Sequence, residues 1–464
     1  MAHLFDQGGT NVGMLLGRLA VNNDKVVLWE RGEERHAGTL LQRTAFWANE
    51  LKARDIGAGT VCAIAADYQL NSIALMLALM EAGAIVMPIS YATESEWPKL
   101  VEIAGAKWLI RLSDDAAPVF DLMPDAAQNH LIEEFRASHH AGLIVFSSGS
   151  SGEPKGILHD FERVLEKFLV PRPARRTILF LTFDHFGGIN TLFGGLMSGG
   201  VNICVSDRSP ETVCRAIEGA RAELLPATPT FLKLLLASGA SGTHDLSSLQ
   251  YITYGAEPMA QSTLARLSAV FANATLKQTY GLSELGVLHS RSRDRESLWL
   301  SVGGQGFETR IVDGVLQIRS VSNMVGYLNA PNPIDQDGWM DTGDLVEQQD
   351  GYIRFLGRKS EIINVGALKV FPAEVENTLV SAEGVADATV YATPHPLLGQ
   401  ALCARVSLLT EEPVEAAIER LRVYCRERLA KFKVPMRFEI VRLETQSTQR
   451  NKKYRPPTNK APIQ

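Results

Sequence analysis

Short apolar runs alternate with segments of helical periodicity through the first three quarters of the chain, and this alternation limits the possible folds more than any other feature. Residues 26–29, 61–65 and 84–88 have the length and composition of buried strands. Apolar residues recur at helical spacing between Leu41 and Leu51 and again in residues 73–81. The same alternation returns around residues 177–181, 201–205 and 251–254. This order predicts parallel sheets covered by helices on both faces.

The pattern changes after about Leu300. Short alternating segments joined by Asp-Gly turns predict a small antiparallel region, and a compact final block follows residue 358. We therefore predict an α/β protein of 464 residues in two domains. Residues 1–357 would form a large N-terminal domain of parallel-rich sheets layered with helices plus a small β region. Residues 358–360 would form a hinge, and residues 361–464 a small, mobile α+β C-terminal domain.

Composition excludes several classes of protein. The 46 basic and 52 acidic residues are nearly balanced, with no basic stripe or tail of the kind that binds nucleic acid. The five cysteines are scattered and never occur as C-x-x-C, which argues against a disulfide framework or a zinc site. We see no secretory signal and no apolar run near the roughly 18 residues that span a membrane. The expectation is a cytoplasmic protein without a membrane span or a nucleic-acid partner.

A segment rich in serine and glycine follows the apolar run of residues 142–145. It reads Phe146-Ser147-Ser148-Gly149-Ser150-Ser151-Gly152-Glu153-Pro154-Lys155-Gly156. Glycines let the backbone N–H groups approach an anion, hydroxyls add donors, and the lysine adds a positive charge. The segment is not a Walker A loop, which requires Ser or Thr directly after the lysine, where this chain has Gly156. The sequence therefore predicts a phosphate-binding loop of another type.

This segment resembles the phosphate loop of the adenylate-forming (AMP-binding) superfamily, which comprises acyl- and aryl-CoA ligases, adenylation domains and luciferases. Four further segments resemble the motifs of that superfamily, in the expected order: Tyr280-Gly281-Leu282-Ser283-Glu284, Asp337-Gly338-Trp339-Met340-Asp341-Thr342-Gly343-Asp344, Gly357-Arg358-Lys359-Ser360-Glu361-Ile362-Ile363-Asn364 and Asn451-Lys452. The resemblance extends from about Leu77 to Arg455. One such motif would be weak support, whereas five in order make the resemblance specific.

The resemblance implies residues that hold ATP and Mg²⁺. The β- and γ-phosphates would be held by Ser147, Ser148, Gly149, Ser150, Ser151, Gly152 and, as a mobile group, Lys155. Glu284 would bind Mg²⁺, because a hard cation prefers oxygen ligands, and Ser283 would keep a hydroxyl for phosphate. Asp344 would accept hydrogen bonds from the ribose hydroxyls, and Arg358 would also reach the ribose. The adenine would pack against Gly255, Ala256 and Glu257, with the aromatic face of Tyr280 and the neighbouring Gly281 beside it.

The resemblance also implies a catalytic lysine from the C-terminal domain. Lys452 would stabilise the charge that builds on the α-phosphate, although Lys453 is a competing choice because Asn451 stands where glycine is usual. The hinge departs from the usual pattern at Ser360 and Ala367. These departures leave open whether transfer to a thiol is impaired.

The acid substrate would lie near Asp184-His185-Phe186-Gly187-Gly188, where His185 is the predicted gating residue. Positions expected to line the acid pocket are Phe183, His185, Asn190, Thr228, Thr253, Gly255 and Gly281. A flat aryl or a short to medium acyl acid would suit glycines beside Phe and Thr. We expect His139, His140 and His159 to be solvated or capping residues without a role in the reaction.

The resemblance implies an ATP-dependent acid–thiol ligase that forms an acyl adenylate and then transfers the acyl group to coenzyme A. The nearest alternative is a stand-alone adenylation enzyme that loads the phosphopantetheine of a separate acyl carrier protein. A third alternative is a non-catalytic nucleotide-binding protein of the same fold. The identity of the acid remains open, as does the choice between a monomer and a homodimer.

Overall fold

The computed structural model describes residues 9–113, 116–123, 128–148, 153–304 and 306–446. The α-helices of this part of the chain are α1 (Asn11–Val21), α2 (Ala37–Lys52), α3 (Leu70–Glu81), α4 (Trp97–Ala104), α5 (His130–Arg136), α6 (Phe161–Glu166), α7 (Phe186–Ser198), α8 (Pro210–Ala220), α9 (Pro229–Ser238), α10 (Gln261–Val270), α11 (Pro372–Val380) and α12 (Val414–Arg428).

The strands of the same residues are β1 (Val26–Glu30), β2 (Glu33–His36), β3 (Val61–Ala65), β4 (Ile85–Ile89), β5 (Trp108–Arg111), β6 (Val119–Leu122), β7 (Gly142–Ser148), β8 (Pro154–Asp160), β9 (Arg176–Ile178), β10 (Val201–Ile203), β11 (Leu224–Ala227), β12 (Tyr251–Tyr254), β13 (Thr275–Gln278), β14 (Gly281–Leu282), β15 (Gly286–Val287), β16 (His289–Ser292), β17 (Leu300–Gly303), β18 (Phe307–Val312), β19 (Val315–Ser320), β20 (Gly326–Tyr327), β21 (Trp339–Gln349), β22 (Tyr352–Arg358), β23 (Ile363–Val365), β24 (Leu368–Val370), β25 (Val385–His395), β26 (Gly399–Leu408) and β27 (Arg437–Ile440).

Two large sheets carry most of the N-terminal part; the first is mainly parallel, and the second has a parallel centre with antiparallel pairings toward both edges. Among the described residues, one has the strand order β13-β12-β11-β9-β10-β1-β2 and the other β20-β8-β7-β4-β3-β5-β6. Helix α3 is buried over almost its whole length, from Ser72 to Met80, because its apolar residues occur on every face. By contrast, α8 is amphipathic: Pro210 occupies its first turn, and the Ser209 hydroxyl caps it by accepting a hydrogen bond from the Thr212 amide at 3.2 Å.

Antiparallel pairing dominates after β13. Strands β14 and β15 form a small hairpin, and a further sheet has the order β16-β17-β22-β21-β19-β18. The strands from β23 to β27 form a separate sheet, in which β26 pairs in parallel with β27. The apolar side chains of this last sheet pack with α11 and α12 in a core of their own, joined by Ala260 from the N-terminal part.

A buried ion pair connects the last sheet to the N-terminal part. The Nζ atom of Lys233, on α9, lies 2.5 Å from Oδ1 of Asp387, on β25. The two side chains are 8% and 2% exposed, respectively. Each carboxylate or ammonium group that loses its water in this way needs an opposite charge beside it.

The architecture confirms the predicted fold class, a large α/β domain followed by a smaller one. The bounds of individual elements differ from the prediction by a few residues; the strand expected over residues 177–181, for example, is Arg176–Ile178. The exact domain bounds and the hinge at residues 358–360 remain predictions. No helix in the described ranges combines the length and apolar character needed to cross a membrane.

Candidate active site

The predicted phosphate loop connects two paired strands. Strands β7 and β8 are antiparallel, and their register places Ser147 opposite Lys155. The side-chain amide of Asn329 clamps β8: its Oδ1 accepts a hydrogen bond from the Gly156 amide at 3.0 Å, and its Nδ2 donates to the Pro154 carbonyl at 2.9 Å. The start and the end of the loop are therefore fixed beside each other. The residues between them, Gly149, Ser150, Ser151 and Gly152, lie outside the described residues.

Lys155 and Glu284 meet at the side chain of Tyr327. The Tyr327 hydroxyl donates a hydrogen bond to Oε1 of Glu284 at 2.7 Å, and Nζ of Lys155 lies 5.0 Å from the centre of the Tyr327 ring. Burial, together with the nearby carboxylate of Glu284, raises the pKa of Tyr327 above its ordinary value. The phenol therefore stays protonated and donating at neutral pH. The structure thus brings the predicted phosphate lysine and the predicted metal ligand to one place.

Tyr327 itself was not predicted as a site residue. It lies on β20, which pairs with β8 so that Tyr327 is opposite Ile157. Its position in the sequence gives little indication of this role, because 43 residues separate it from Glu284. Only the pairing of the short edge strand β20 with the end of the phosphate hairpin places it between the two predicted groups.

Tyr280, Asp344 and Arg358 form a second predicted group that the structure brings together. The Tyr280 hydroxyl donates to Oδ2 of Asp344 at 2.6 Å, and Nε of Arg358 donates to Oδ1 at 3.2 Å. Burial raises the pKa of Asp344, outweighing the Arg358 charge and the Tyr280 hydrogen bond, which both lower it. A carboxylate has about four lone-pair sites, so each oxygen of Asp344 can still accept a further hydrogen bond.

The ring of Tyr280 is held by a stacked neighbour. Its centre lies 4.5 Å from the centre of the Phe355 ring, with 18° between the two planes. Burial raises the pKa of Tyr280 well above its ordinary value, and the adjacent Asp344 raises it further. One ring face is therefore covered by Phe355, so at most the other face is available to an adenine ring.

The segment from Gly255 to Glu257 follows β12 in an unusual backbone conformation. A Cβ atom on Gly255 would lie 2.5 Å from Oγ1 of Thr279, so a larger residue would have to displace that neighbour. Ala256 has a φ of +66°, in the left-handed region that costs a non-glycine residue about 1 kcal/mol. Such strain is often found at binding sites. The carboxylate of Glu257 accepts hydrogen bonds from Thr230, from its amide at 3.2 Å and its hydroxyl at 2.7 Å.

Gly281 is required by close packing across the β14–β15 hairpin. It pairs with Val287, and a Cβ atom on it would lie 2.6 Å from the Gly286 carbonyl oxygen. Ser283, at the turn of this hairpin, uses its carbonyl oxygen in a hydrogen bond to His159. The predicted phosphate contact of its hydroxyl stays a prediction.

His185 caps helix α7. Its Nδ1 accepts a hydrogen bond from the Gly187 amide at 3.0 Å. The neighbouring Asp184 is 7% exposed and accepts a hydrogen bond from the Thr182 hydroxyl at 2.6 Å. The cap fixes the ring of His185 at the start of the helix. Its role in gating the acid pocket remains a prediction.

The expectation that His159 is solvated or capping is wrong. The residue is 1% exposed, and its Nε2 donates to the Ser283 carbonyl oxygen at 2.7 Å. Its ring centre lies 4.8 Å from that of Phe186. Burial lowers the pKa of His159 to about 4, so the imidazole is neutral at physiological pH. Its Nδ1 has no hydrogen-bond partner within the described ranges, so a buried polar atom of this residue lies beside the predicted site.

The carboxylate of Glu284 fits the role of Mg²⁺ ligand. Oε1 is oriented by the Tyr327 hydroxyl, which leaves Oε2 for a cation. No group of three or more His, Cys, Asp or Glu side chains among the described residues could hold a metal ion by itself. A single carboxylate that shares Mg²⁺ with bound phosphates agrees with this, because Mg²⁺ usually takes one or two protein carboxylates together with substrate phosphates.

The remaining predicted catalytic residue, Lys452, lies outside the described residues, as does its competitor Lys453. The geometry of the site described here therefore includes neither lysine. The assignment of Lys452 remains a prediction from the sequence motif.

Two family models match this chain. The AMP-binding enzyme model matches residues 18–328, and the model of the AMP-binding enzyme C-terminal domain matches residues 374–453. The chain therefore belongs to the AMP-binding enzyme family, as the sequence motifs predicted.

Individual relatives extend the comparison over nearly the whole chain. The Mycobacterium tuberculosis enzyme named 3-[(3aS,4S,7aS)-7a-methyl-1,5-dioxo-octahydro-1H-inden-4-yl]propanoyl:CoA ligase is 29% identical over 416 residues, which cover 79% of this chain and 82% of the relative. The 2-succinylbenzoate–CoA ligase of Bacillus subtilis is 24% identical over 464 residues, which cover 92% and 93% of the two chains. The crystal structure of the anthranilate CoA ligase AuaEII in complex with anthranoyl-AMP shares the fold, with a TM-score of 0.78, 19% identity and 95% coverage of both chains.

Proposed function

We propose that this protein activates an organic acid with ATP and transfers the acyl group to coenzyme A. A carboxylate oxygen of the acid attacks the α-phosphorus of ATP, the bond to the β-phosphate breaks, and pyrophosphate leaves. The thiol of coenzyme A then attacks the acyl carbon, AMP leaves, and the thiol proton passes to solvent. The observation that supports this proposal is the meeting of Lys155 and Glu284 at Tyr327, because the lysine predicted to bind phosphate and the carboxylate predicted to bind Mg²⁺ both contact this residue.

The residues of the site divide into three roles. The phosphates would be held by Lys155 and the loop that starts at Ser147 and Ser148, and Glu284 would hold Mg²⁺, which neutralises phosphate charge when it is bound. Asp344, oriented by Tyr280 and Arg358, would accept hydrogen bonds from the ribose hydroxyls. Lys452 would stabilise the charge that develops on the α-phosphate.

Coenzyme A is favoured as the acceptor because the similar enzymes named above are CoA ligases. A separate acyl carrier protein is the second candidate acceptor. All five cysteines are buried, free thiols, which favours a reducing compartment such as the cytoplasm.

Exchange of labelled pyrophosphate into ATP tests the first half-reaction. A panel of aryl and medium-chain acids should include at least one that supports exchange well above the rate without acid. The acid found in this way is then incubated with ATP and either coenzyme A or a holo-carrier protein, and AMP release is measured. No exchange with any acid would contradict the proposal, and loading of the carrier without reaction of coenzyme A would favour the second candidate.

The ribose role of Asp344 leads to a specific expectation. Asp344→Asn should raise the KM for ATP about 10- to 100-fold in the exchange assay, because it removes a charged hydrogen-bond acceptor that also orients Arg358. Asp341→Asn is the matched control: Asp341 is exposed, and its Oδ1 accepts a hydrogen bond from the Gly343 amide that asparagine can also accept. Equal KM values for the two variants would exclude a ribose contact by Asp344.

A further inference from the structure

A cluster of basic side chains lies beside the β14–β15 hairpin, which carries the predicted pocket residue Gly281. It consists of Lys167, Arg172, Lys277 and His289, hereafter the basic cluster. Nη2 of Arg172 donates to the Lys167 carbonyl at 3.2 Å and to Nε2 of His289 at 3.4 Å. The Lys167 ammonium and the Arg172 guanidinium lie 5.1 and 5.3 Å, respectively, from the centre of the Phe168 ring. None of these residues belongs to the site described above.

No acidic side chain among the described residues forms an ion pair with Lys167, Arg172 or Lys277, although Asp294 lines the same surface pocket as Lys277. In the described part of the chain, the charged groups that shift the pKa values of Lys167, Lys277 and His289 are all cations. Burial, together with a smaller effect of the Arg172 charge, lowers the pKa of Lys167 to about 7. Cations held together in this way favour an anion in their midst, because like charges at short range destabilise each other.

One hydrogen bond and one electrostatic interaction connect Lys167 to the predicted site. Nζ of Lys167 donates to the Val287 carbonyl at 3.3 Å, and Val287 pairs with Gly281 across the β14–β15 hairpin. On its other side, the charge of Lys167 acts on His159, which is hydrogen-bonded to Ser283. Lys167 is therefore in contact with the hairpin that carries Gly281 and Ser283.

Burial differs across the cluster in a way that indicates how a ligand would enter. Lys167 and Lys277 are half-buried, whereas Arg172 and His289 are exposed. An anionic group beside Lys167 would therefore be held by a lysine deep in the cluster and remain in contact with solvent near Arg172. This arrangement suits the far end of a substrate whose reacting carboxylate lies on the Gly281 side of the hairpin.

From these observations we infer that the acid substrate carries a second anionic group, a distal carboxylate, which the basic cluster binds. The inference rests on the proposed function, because it names the class of acid that the site activates. The phosphates of coenzyme A could supply the same chemistry, and the experiment below separates the two sources. The position of Lys167 against the β14–β15 hairpin favours the acid.

Pyrophosphate exchange provides the test because it contains no coenzyme A. Glutarate, adipate, pimelate and terephthalate are compared with their monomethyl esters, which keep the length but lack the second charge. The wild-type enzyme should have a KM about 10- to 100-fold lower for at least one diacid than for its ester. Lys167→Met should remove this preference by raising the KM for the diacid, with the KM for the ester and kcat nearly unchanged. Lys167→Arg should restore part of the preference.

Lys99→Met serves as the matched control, since Lys99 is an exposed lysine on α4. The exchange supported by the ester reports whether Lys167→Met is folded, and a thermal unfolding curve confirms it. A loss of exchange with ester and diacid alike would mean that Lys167 has a structural role and would overturn the inference. The inference is also overturned if Lys167→Met changes only the KM for coenzyme A in the complete reaction, because the basic cluster would then bind the phosphates of coenzyme A. If exchange occurs with esters but no diacid is preferred, the inference fails and the proposed function stands; without exchange from any acid, both fail.

Discussion

Lys452→Ala should slow formation of the acyl adenylate by about 10²- to 10³-fold, the effect expected when one preorganised electrostatic group is removed. During adenylation negative charge builds on the α-phosphate, and a lysine from the C-terminal domain would lie beside it. Thioester formation from a preformed acyl adenylate should be spared, since the bond to the β-phosphate is already broken. Single-turnover assays of the two half-reactions measure these effects separately.

The adjacent lysine provides the matched control. Lys453→Ala changes the same charge one position further along the chain and should leave both half-reactions within a few fold of the wild type. If Lys453→Ala shows the selective loss and Lys452→Ala does not, the catalytic lysine is Lys453. If both half-reactions slow equally in Lys452→Ala, the residue does not act on the α-phosphate.

Glu284→Gln should lower kcat/KM for pyrophosphate exchange by about 10²-fold. Glutamine keeps the shape of the side chain and an oxygen that accepts the Tyr327 hydroxyl hydrogen bond. The variant therefore removes one negative charge and little else. It should also require more Mg²⁺ to reach half its maximal rate, which a titration of the exchange reaction with Mg²⁺ measures.

Tyr327→Phe separates the charge of Glu284 from its orientation. This variant retains the carboxylate and loses only the hydroxyl that donates to it, so its loss should be about 10-fold at most. A loss in Tyr327→Phe as large as that in Glu284→Gln would mean that orientation of the carboxylate matters more than its charge. Unchanged exchange in Glu284→Gln would exclude Glu284 as the Mg²⁺ ligand.

The sequence predicted the parts of the fold that local patterns determine. Strands such as β3 and β4 are continuous apolar runs, and they were recognised because strands buried on both faces have this composition. Their ends were less certain: β9 ends at Ile178 although the apolar run continues to Leu181. Hydrophobicity alone does not show at which residue the backbone hydrogen bonds to the neighbouring strand end.

The site was predictable wherever a motif holds its residues close together in sequence. Asp344 and Arg358 were identified from motifs, and the structure joins them through an ion pair. Residues that reach the site through tertiary pairing were missed. Tyr327 is an example: it lies on the edge strand β20 and reaches Glu284 only through the pairing of β20 with β8.

His159 was misjudged for a related reason. It follows Ile157 and Leu158 on β8, and a histidine near a strand end is ordinarily solvated. Here the β14–β15 hairpin covers it, and the Ser283 carbonyl satisfies one ring nitrogen. Burial of a polar side chain depends on which distant segment of the chain packs over it. A single sequence does not show which segment that is.

The contact between Lys233 and Asp387 has a consequence for catalysis by a two-domain ligase. The C-terminal domain is predicted to be mobile about a hinge at residues 358–360, and such a movement would pull these two charges apart. Separating a buried ion pair costs free energy unless other groups or water replace the lost partner. The ion pair would then stabilise the domain arrangement described here. Release of pyrophosphate or binding of the thiol would have to supply the free energy that separates the two charges.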